Sequence, residues 1–266
     1  MISRRARRPI LLIAVVVATL CAPLATASAI PAEGRPTNSP LRDCVSERGS
    51  LAVLFLIDES TSLRRSDPKD LRVAALQAAI SALSLNAGWA TAKGEQYEIE
   101  VALAGFGTQY AEPSRWFTLS DEPDNELIKV VEEFKLRDTS DRTDYETALS
   151  GAIETFDERK DSSCKVLVWL SDGQLDVDGV KGKKTKEAAE NLCEPDGLAD
   201  RVRDEEIYLV GFGLKGLDTK PTDFDLMEGI STGSNACGAN AGYGQFRLVD
   251  GADGLIAELF SDLSPY

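Results

Sequence analysis

Histidine is absent from this 266-residue sequence. Without an imidazole, the chain cannot build a Ser-His-Asp or Cys-His catalytic group, and no zinc, iron or copper site can have a histidine ligand. Cys-x-x-Cys pairs are also missing from the sequence, which argues against a zinc ribbon and a thioredoxin-type redox centre. Any metal bound by this chain must therefore be held by oxygen atoms.

Basic residues are scarce relative to acidic ones. The chain has 29 lysines and arginines against 44 aspartates and glutamates, and its formal net charge is −15. Binding to nucleic acid or to an anionic membrane requires a basic surface. We therefore expect no nucleic-acid partner, and we interpret most of the negative charge as serving solubility.

The amino terminus has the pattern of a secretory signal peptide. Four arginines lie within the first eight residues, an apolar run extends from Ile10 to Ala22, and small residues follow from Ala25 to Ala29. The apolar run is too short to span a bilayer comfortably, so a membrane anchor is the weaker alternative. We predict a signal peptide over residues 1–29, cleaved after Ala29 or Ala27, no membrane insertion of the mature chain, and a secreted or extracytoplasmic location.

The sequence after the predicted signal peptide predicts a short linker and one α/β domain. Residues 30–48 contain three prolines and are interpreted as the linker, and residues 49–266 form the domain. Leu51–Ile57 and Lys165–Leu170 are continuous apolar runs, typical of strands buried on both faces of a parallel sheet. Strands alternate with helices, which predicts a doubly wound, mostly parallel sheet flanked by helices. The other predicted strands cover residues 97–106, 116–119 (a short antiparallel edge strand), 207–212 and 245–249; helices cover 69–91, 122–134, 145–159, 198–203, 224–230 and 253–263; a charged loop covers 176–186.

Polar residues directly follow the first of these buried strands. Asp58, Ser60 and Ser62 alternate along the chain where the strand meets a loop. Ligand sites of doubly wound sheets lie at the carboxyl ends of the strands. One carboxylate and two hydroxyls are oxygen donors of the kind that a hard dication such as Mg²⁺ prefers. Taken alone, however, Asp58 and Ser60 could also cap a helix.

Two further segments place oxygen atoms where they could reach the same edge. Asp172 follows the second apolar strand, within Ser-Asp-Gly, and Thr143 lies directly before a predicted helix. Thr143 or its neighbour Asp144 could cap that helix, and the Ser-Asp-Gly segment could be an ordinary turn. The coincidence of three such segments, each following the expected element, favours a metal site.

This combination resembles the metal-ion-dependent adhesion site of the von Willebrand factor A (vWA) family, and the order of strands and helices fits the Rossmann-like fold of that family. The resemblance implies that Ser60, Ser62 and Thr143 supply oxygen ligands, and that Asp58 and Asp172 act directly or through water. It implies a divalent cation, Mg²⁺ in the first place with Mn²⁺ or Ca²⁺ as alternatives. It also implies a protein partner that offers an acidic residue to the metal, and adhesion or protein binding as the function.

A magnesium-dependent phosphoryl hydrolase is the competing hypothesis, since doubly wound sheets with carboxylates at their strand ends also support that chemistry. The sequence disfavours it. Ser60 stands where an aspartyl nucleophile of the haloacid dehalogenase type would have a second aspartate, and no histidine or evident catalytic lysine motif provides a general base. We therefore predict a binding protein and no enzyme; a cation that serves stability alone is a third possibility.

Four cysteines remain after removal of the predicted signal peptide, and in an exported chain they predict two disulfides. Their spacing leaves three pairings open. Cys44 and Cys164 each precede a strand, and in the fold implied above those two strands are expected to be neighbours. We therefore expect Cys44 to pair with Cys164, and Cys193 with Cys237.

Overall fold

The computed structural model describes residues 40–92, 98–120, 124–159, 163–173, 175–177, 183–216, 219–233, 237 and 244–249. The predicted signal peptide, residues 30–39 of the predicted linker and the predicted closing helix over 253–263 lie outside these described residues. No helix within the described ranges is long and apolar enough to cross a membrane.

A six-stranded sheet forms the centre of the described domain. Its strands are β1 (Ser50–Asp58), β2 (Glu98–Phe106), β3 (Phe117–Thr118), β4 (Cys164–Ser171), β5 (Ile207–Leu214) and β6 (Gln245–Val249). They lie in the order β3-β2-β1-β4-β5-β6. The short β3 pairs antiparallel to β2, and all other pairs are parallel. This topology confirms the predicted fold class.

Helices cover both faces of the sheet. They are α1 (Pro40–Arg48), α2 (Leu63–Ser66), α3 (Leu71–Ala92), α4 (Asn125–Glu133), α5 (Tyr145–Asp157), α6 (Lys183–Cys193), α7 (Leu198–Asp204) and α8 (Asp225–Thr232), with 3₁₀ turns at Phe134–Leu136 and Pro221–Phe224. Strand β1 is apolar on both faces because it faces two cores: Phe55 packs with residues of α3 and α4, and Leu54 with residues of α5, α7 and α8.

Helices α1, α2 and α6 begin in segments for which the sequence predicted no helix. Helix α1 occupies residues 40–48 of the predicted linker, because Val45 packs into the core and Cys44 is bonded to Cys164. Helix α6 begins at Lys183, inside the predicted charged loop over 176–186. That helix is mostly polar, and Leu192 is one of its few apolar residues and is buried in the core.

Both predicted disulfides are present. Cys44 bonds to Cys164, with Cα atoms 5.9 Å apart, and Cys193 bonds to Cys237. The first links α1 to the amino end of β4 and closes a separation of 120 residues. The structure therefore confirms the pairing that the strand order predicted.

Candidate metal centre

The carboxyl ends of β1 and β4 meet at one edge of the sheet. These strands are parallel neighbours, and Ile57 is paired with Leu170 in their register. Asp58 therefore lies beside Ser171, whose hydroxyl donates a 2.6 Å hydrogen bond to Asp58 Oδ2. Asp172 comes next along the chain. The sheet thus places both predicted carboxylates at the same edge, and both are more than nine-tenths buried.

The loop after β1 folds back on Asp58. The backbone N–H of Ser60 donates to Asp58 Oδ1 at 2.7 Å, and the hydroxyl oxygens of Ser60 and Ser62 are 2.7 Å apart. Helix α2 begins directly after Ser62, and one turn further the Ser66 hydroxyl donates to Asp172 Oδ2 at 2.7 Å. Hydrogen bonds therefore connect Asp58, Ser60 and Ser62 on the loop, and Ser66 connects this loop to Asp172.

Thr143 comes to this edge through backbone pairing of its segment. Ser140 pairs with the loop after β1: its carbonyl accepts from the N–H of Thr61 at 2.8 Å, and its N–H donates to the carbonyl of Glu59 at 3.0 Å. Thr143 itself exchanges two backbone hydrogen bonds with Asp176, of 3.1 and 3.0 Å. In the part of the chain that the structure describes, no hydrogen bond joins the Thr143 side chain to the other four predicted site residues.

The cap of helix α5 is Asp144 and not Thr143. The Asp144 side chain accepts hydrogen bonds from the N–H groups of Glu146 and Thr147, at 3.0 and 3.2 Å. The two alternatives left open by the sequence are thereby distinguished. Thr143, which is only 4% exposed, therefore does not cap this helix.

Electrostatics at this edge disfavour a negative charge on Asp58. Burial, followed by the nearby charge of Asp172, raises the pKa of Asp58 from 3.8 to about 7, although hydrogen bonds from Ser171 and Ser60 act in the opposite direction. A positive charge bound beside Asp58 would favour its ionised form.

The donor set fits an oxygen-preferring dication. Among the described residues there is no group of three or more His, Cys, Asp or Glu side chains that could hold a metal, so a cation here would need hydroxyl ligands in addition to the two carboxylates. Neighbouring ligands of an octahedral Mg²⁺ lie about 3 Å apart, given metal-oxygen distances of about 2.1 Å. The 2.7 Å spacing of the Ser60 and Ser62 hydroxyls is close to that value.

Three polar residues at this edge were not predicted as site residues from the sequence. Ser66 bonds to Asp172, Ser171 bonds to Asp58, and the buried Tyr145 hydroxyl lies near both carboxylates. A signal existed for Ser66, since it follows Ser62 by four residues and so shares its face of a helix. Ser171 belongs to the Ser-Asp-Gly segment that the sequence had singled out. The sequence could not show, however, that its hydroxyl points towards Asp58.

A buried arginine supports the loops that carry the site. Arg72, 1% exposed, donates to Asp67 at 2.9 Å, to Asp138 and to the carbonyl of Phe134 at 3.1 Å. Asp67 also accepts the backbone N–H groups of Leu71 and Arg72, and so caps α3. The guanidinium therefore joins the end of α2 to the segment that leads to Ser140.

The part of the chain that carries the candidate site matches a known family model. A family model described as von Willebrand factor type A domain matches residues 53–174. These residues begin in β1 and end just after Ser-Asp-Gly, so they include all five predicted site residues. No curated protein matches the sequence.

Solved structures share the fold at low sequence identity. The pilus adhesin SpaC from Lactobacillus rhamnosus GG superposes with a TM-score of 0.54 and 13% identity, covering 80% of this chain and 30% of SpaC. The minor pilin PilB from Streptococcus sanguinis gives a TM-score of 0.55 and 14% identity, covering 80% of this chain and 60% of PilB. This chain therefore spans less than two thirds of either protein. This chain is therefore similar to the von Willebrand factor type A domain over residues 53–174, and it shares its fold with these two proteins.

Proposed function

We propose that this protein is an exported vWA-domain protein that binds a divalent cation, Mg²⁺ in the first place, and uses it to bind an acidic residue of a protein partner. The ligands would come from three segments of the sheet edge: Asp58, Ser60, Ser62, Thr143 and Asp172. The observation that carries this proposal is the pair of buried carboxylates at neighbouring strand ends, connected through hydroxyl groups.

The charges of the site favour an acidic incoming group. Three of the proposed ligands are neutral hydroxyls, which bind a cation without neutralising it. The aspartates already accept hydrogen bonds from Ser60, Ser66 and Ser171, and these bonds hold them in place for direct or water-mediated contact. A dication with neutral ligands remains electropositive, so a carboxylate from another protein would be attracted to it.

Similarity to surface proteins supports protein binding as the role. The two superposed structures are named a pilus adhesin and a minor pilin. The two disulfides are consistent with an extracellular location, because disulfides persist in oxidising compartments. The signal-peptide pattern of residues 1–29 points to the same location.

Calorimetric titration of Mg²⁺ and Mn²⁺ into chelator-treated protein tests the cation site. We expect saturable binding in the wild type and loss of binding in Asp58→Ala and Ser60→Ala. Ser50→Ala is a matched control, because Ser50 lies at the opposite end of the same strand and its hydroxyl contacts Ser163. Absence of binding in the wild type, or equal loss in Ser50→Ala, would contradict the proposal.

A phosphatase assay separates this proposal from the hydrolase hypothesis. A binding protein should release no phosphate from a generic phosphomonoester above the level of Asp58→Ala, with or without Mg²⁺. Turnover that requires both Mg²⁺ and Asp58 would favour the hydrolase instead. The assay needs the same purified proteins as the titration, so both results refer to one preparation.

A further inference from the structure

Tyr145 has a buried hydroxyl without a hydrogen-bond partner among the described residues. It is the first residue of α5 and is fully buried, and its hydroxyl has no hydrogen-bond partner within the described ranges. Buried tyrosine hydroxyls usually find a partner, since an unsatisfied polar group in the interior is unfavourable. The free hydroxyl of Tyr145 therefore requires an explanation from its surroundings.

The ring of Tyr145 is fixed by aromatic neighbours on the sheet. It meets Trp169 edge to face with ring centroids 4.6 Å apart, and it meets Phe106 at 6.3 Å. Phe106 is paired with Asp58 in the sheet, and Trp169 lies three residues before Asp172. The ring is fully buried, and its hydroxyl lies in the interior near Ser171 and the two carboxylates.

Ser171 has room for one more hydrogen bond. A serine hydroxyl has one donor and two acceptor positions. Its proton is given to Asp58 Oδ2 at 2.6 Å, and one acceptor position receives the N–H of Gly173 at 3.2 Å. No described residue occupies the second acceptor position, and Tyr145, a donor without a partner in the same part of the chain, lies near it.

We propose that Tyr145 is a positioning residue of the cation site: its hydroxyl, which has no partner among the described residues, would donate to Ser171 in the loaded site and so hold Ser171 towards Asp58. This inference rests on the cation site proposed above. Asp58 would be one of the residues that hold the cation, Ser171 would keep it in place through its 2.6 Å hydrogen bond, and the Tyr145 hydroxyl would in turn hold Ser171. Hydrogen bonds from outer residues hold metal ligands in the orientation that binds, and their loss typically weakens metal affinity by roughly 10- to 100-fold.

Manganese titration of Tyr145→Phe tests this role. We expect Mn²⁺ affinity to fall about tenfold, within the range known for such outer partners. The midpoint of thermal unfolding in chelator should stay equal or rise, since the variant removes an unsatisfied hydroxyl and keeps the ring. Tyr110→Phe is the matched control: Tyr110 contacts the same helix α5 through Thr155, with a hydroxyl distance of 2.7 Å, and should leave Mn²⁺ affinity unchanged.

A double-mutant cycle with Ser171→Ala tests whether Tyr145 acts through Ser171. If it does, the double variant should bind Mn²⁺ no more weakly than Ser171→Ala alone, because the losses are then shared. Additive losses, wild-type Mn²⁺ affinity in Tyr145→Phe, or a lower midpoint in chelator without a change in affinity would each overturn the proposal. A wild type that binds no Mn²⁺ would overturn the cation site itself, which is a different result from a wild type that binds while Tyr145→Phe binds equally well.

Discussion

The pH dependence of folding in the absence of metal should be governed in part by Asp58. Burial and the charge of Asp172 raise the pKa of Asp58 from 3.8 to about 7 in the folded protein. Between these two values the folded protein holds a proton that the unfolded chain releases. The contribution of this group to the free energy of unfolding is therefore largest below about pH 4. It decreases as the pH rises to about 7 and does not change further above that pH.

The size of this effect follows from the separation of the two pKa values. Each pH unit between them corresponds to about 1.4 kcal/mol, so the fall is on the order of 4 kcal/mol for Asp58. Burial also raises the pKa of Glu59 and Asp138, which gives the same sign of pH dependence. Those groups are present in every Asp58 variant, so the difference between wild type and Asp58→Asn reports the removal of the Asp58 carboxyl from beside Asp172.

Urea unfolding of chelator-treated protein at several pH values between 4 and 8 measures this difference. An asparagine side chain cannot ionise, so the Asp58→Asn protein should lose less stability over this range, by about 4 kcal/mol. The lost hydrogen bond from Ser171 gives a constant offset. Millimolar Mg²⁺ should restore wild-type stability at pH 7.5 and leave the variant unchanged. Parallel pH curves for the two proteins would refute the reasoning.

Other substitutions test the supports of the site. Arg72→Leu leaves two buried carboxylates uncompensated, and we expect urea unfolding to show a loss of about 3 to 5 kcal/mol; an unchanged midpoint would contradict this. In Gly107→Ala the new methyl group would overlap the Ser140 side chain, so about 1 to 3 kcal/mol of stability should be lost, with weaker Mn²⁺ binding by calorimetry. Replacing both Cys44 and Cys164 by serine should cost about 2 to 5 kcal/mol in thermal unfolding and leave Mn²⁺ affinity unaffected, because the disulfide lies at the opposite end of β4.

Sequence patterns predicted the sheet more completely than the helices around it. The apolar runs of β1 and β4 are buried on both faces, and such runs are visible without any tertiary information. The sequence analysis did not predict helix α6, because most of its residues are polar and no stripe of large apolar residues marks a buried face. Only Leu192 and the disulfide at Cys193 reveal that it packs on the domain.

The candidate site also contains residues that the sequence could identify and one that it could not. Asp58, Ser60 and Asp172 were identifiable because they follow buried strands, and the carboxyl ends of parallel strands share one edge. The part played by Tyr145 was not identifiable, since it depends on the direction of one hydroxyl relative to Ser171. Side-chain direction follows from packing against Trp169 across the sheet, and no local sequence pattern encodes that contact.

The arrangement of the loops explains why a cation would matter to their order. The proposed ligands come from three segments that are distant in sequence, and two isolated backbone pairings, Ser60 with Ser140 and Thr143 with Asp176, hold these segments together. Such pairings add little apolar contact, whereas the strands below them are fully buried. A dication shared by Asp58 and the hydroxyl ligands would cross-link the segments and relieve the repulsion from Asp172. Because a partner carboxylate would bind the same ion, partner affinity and cation affinity should each increase the other.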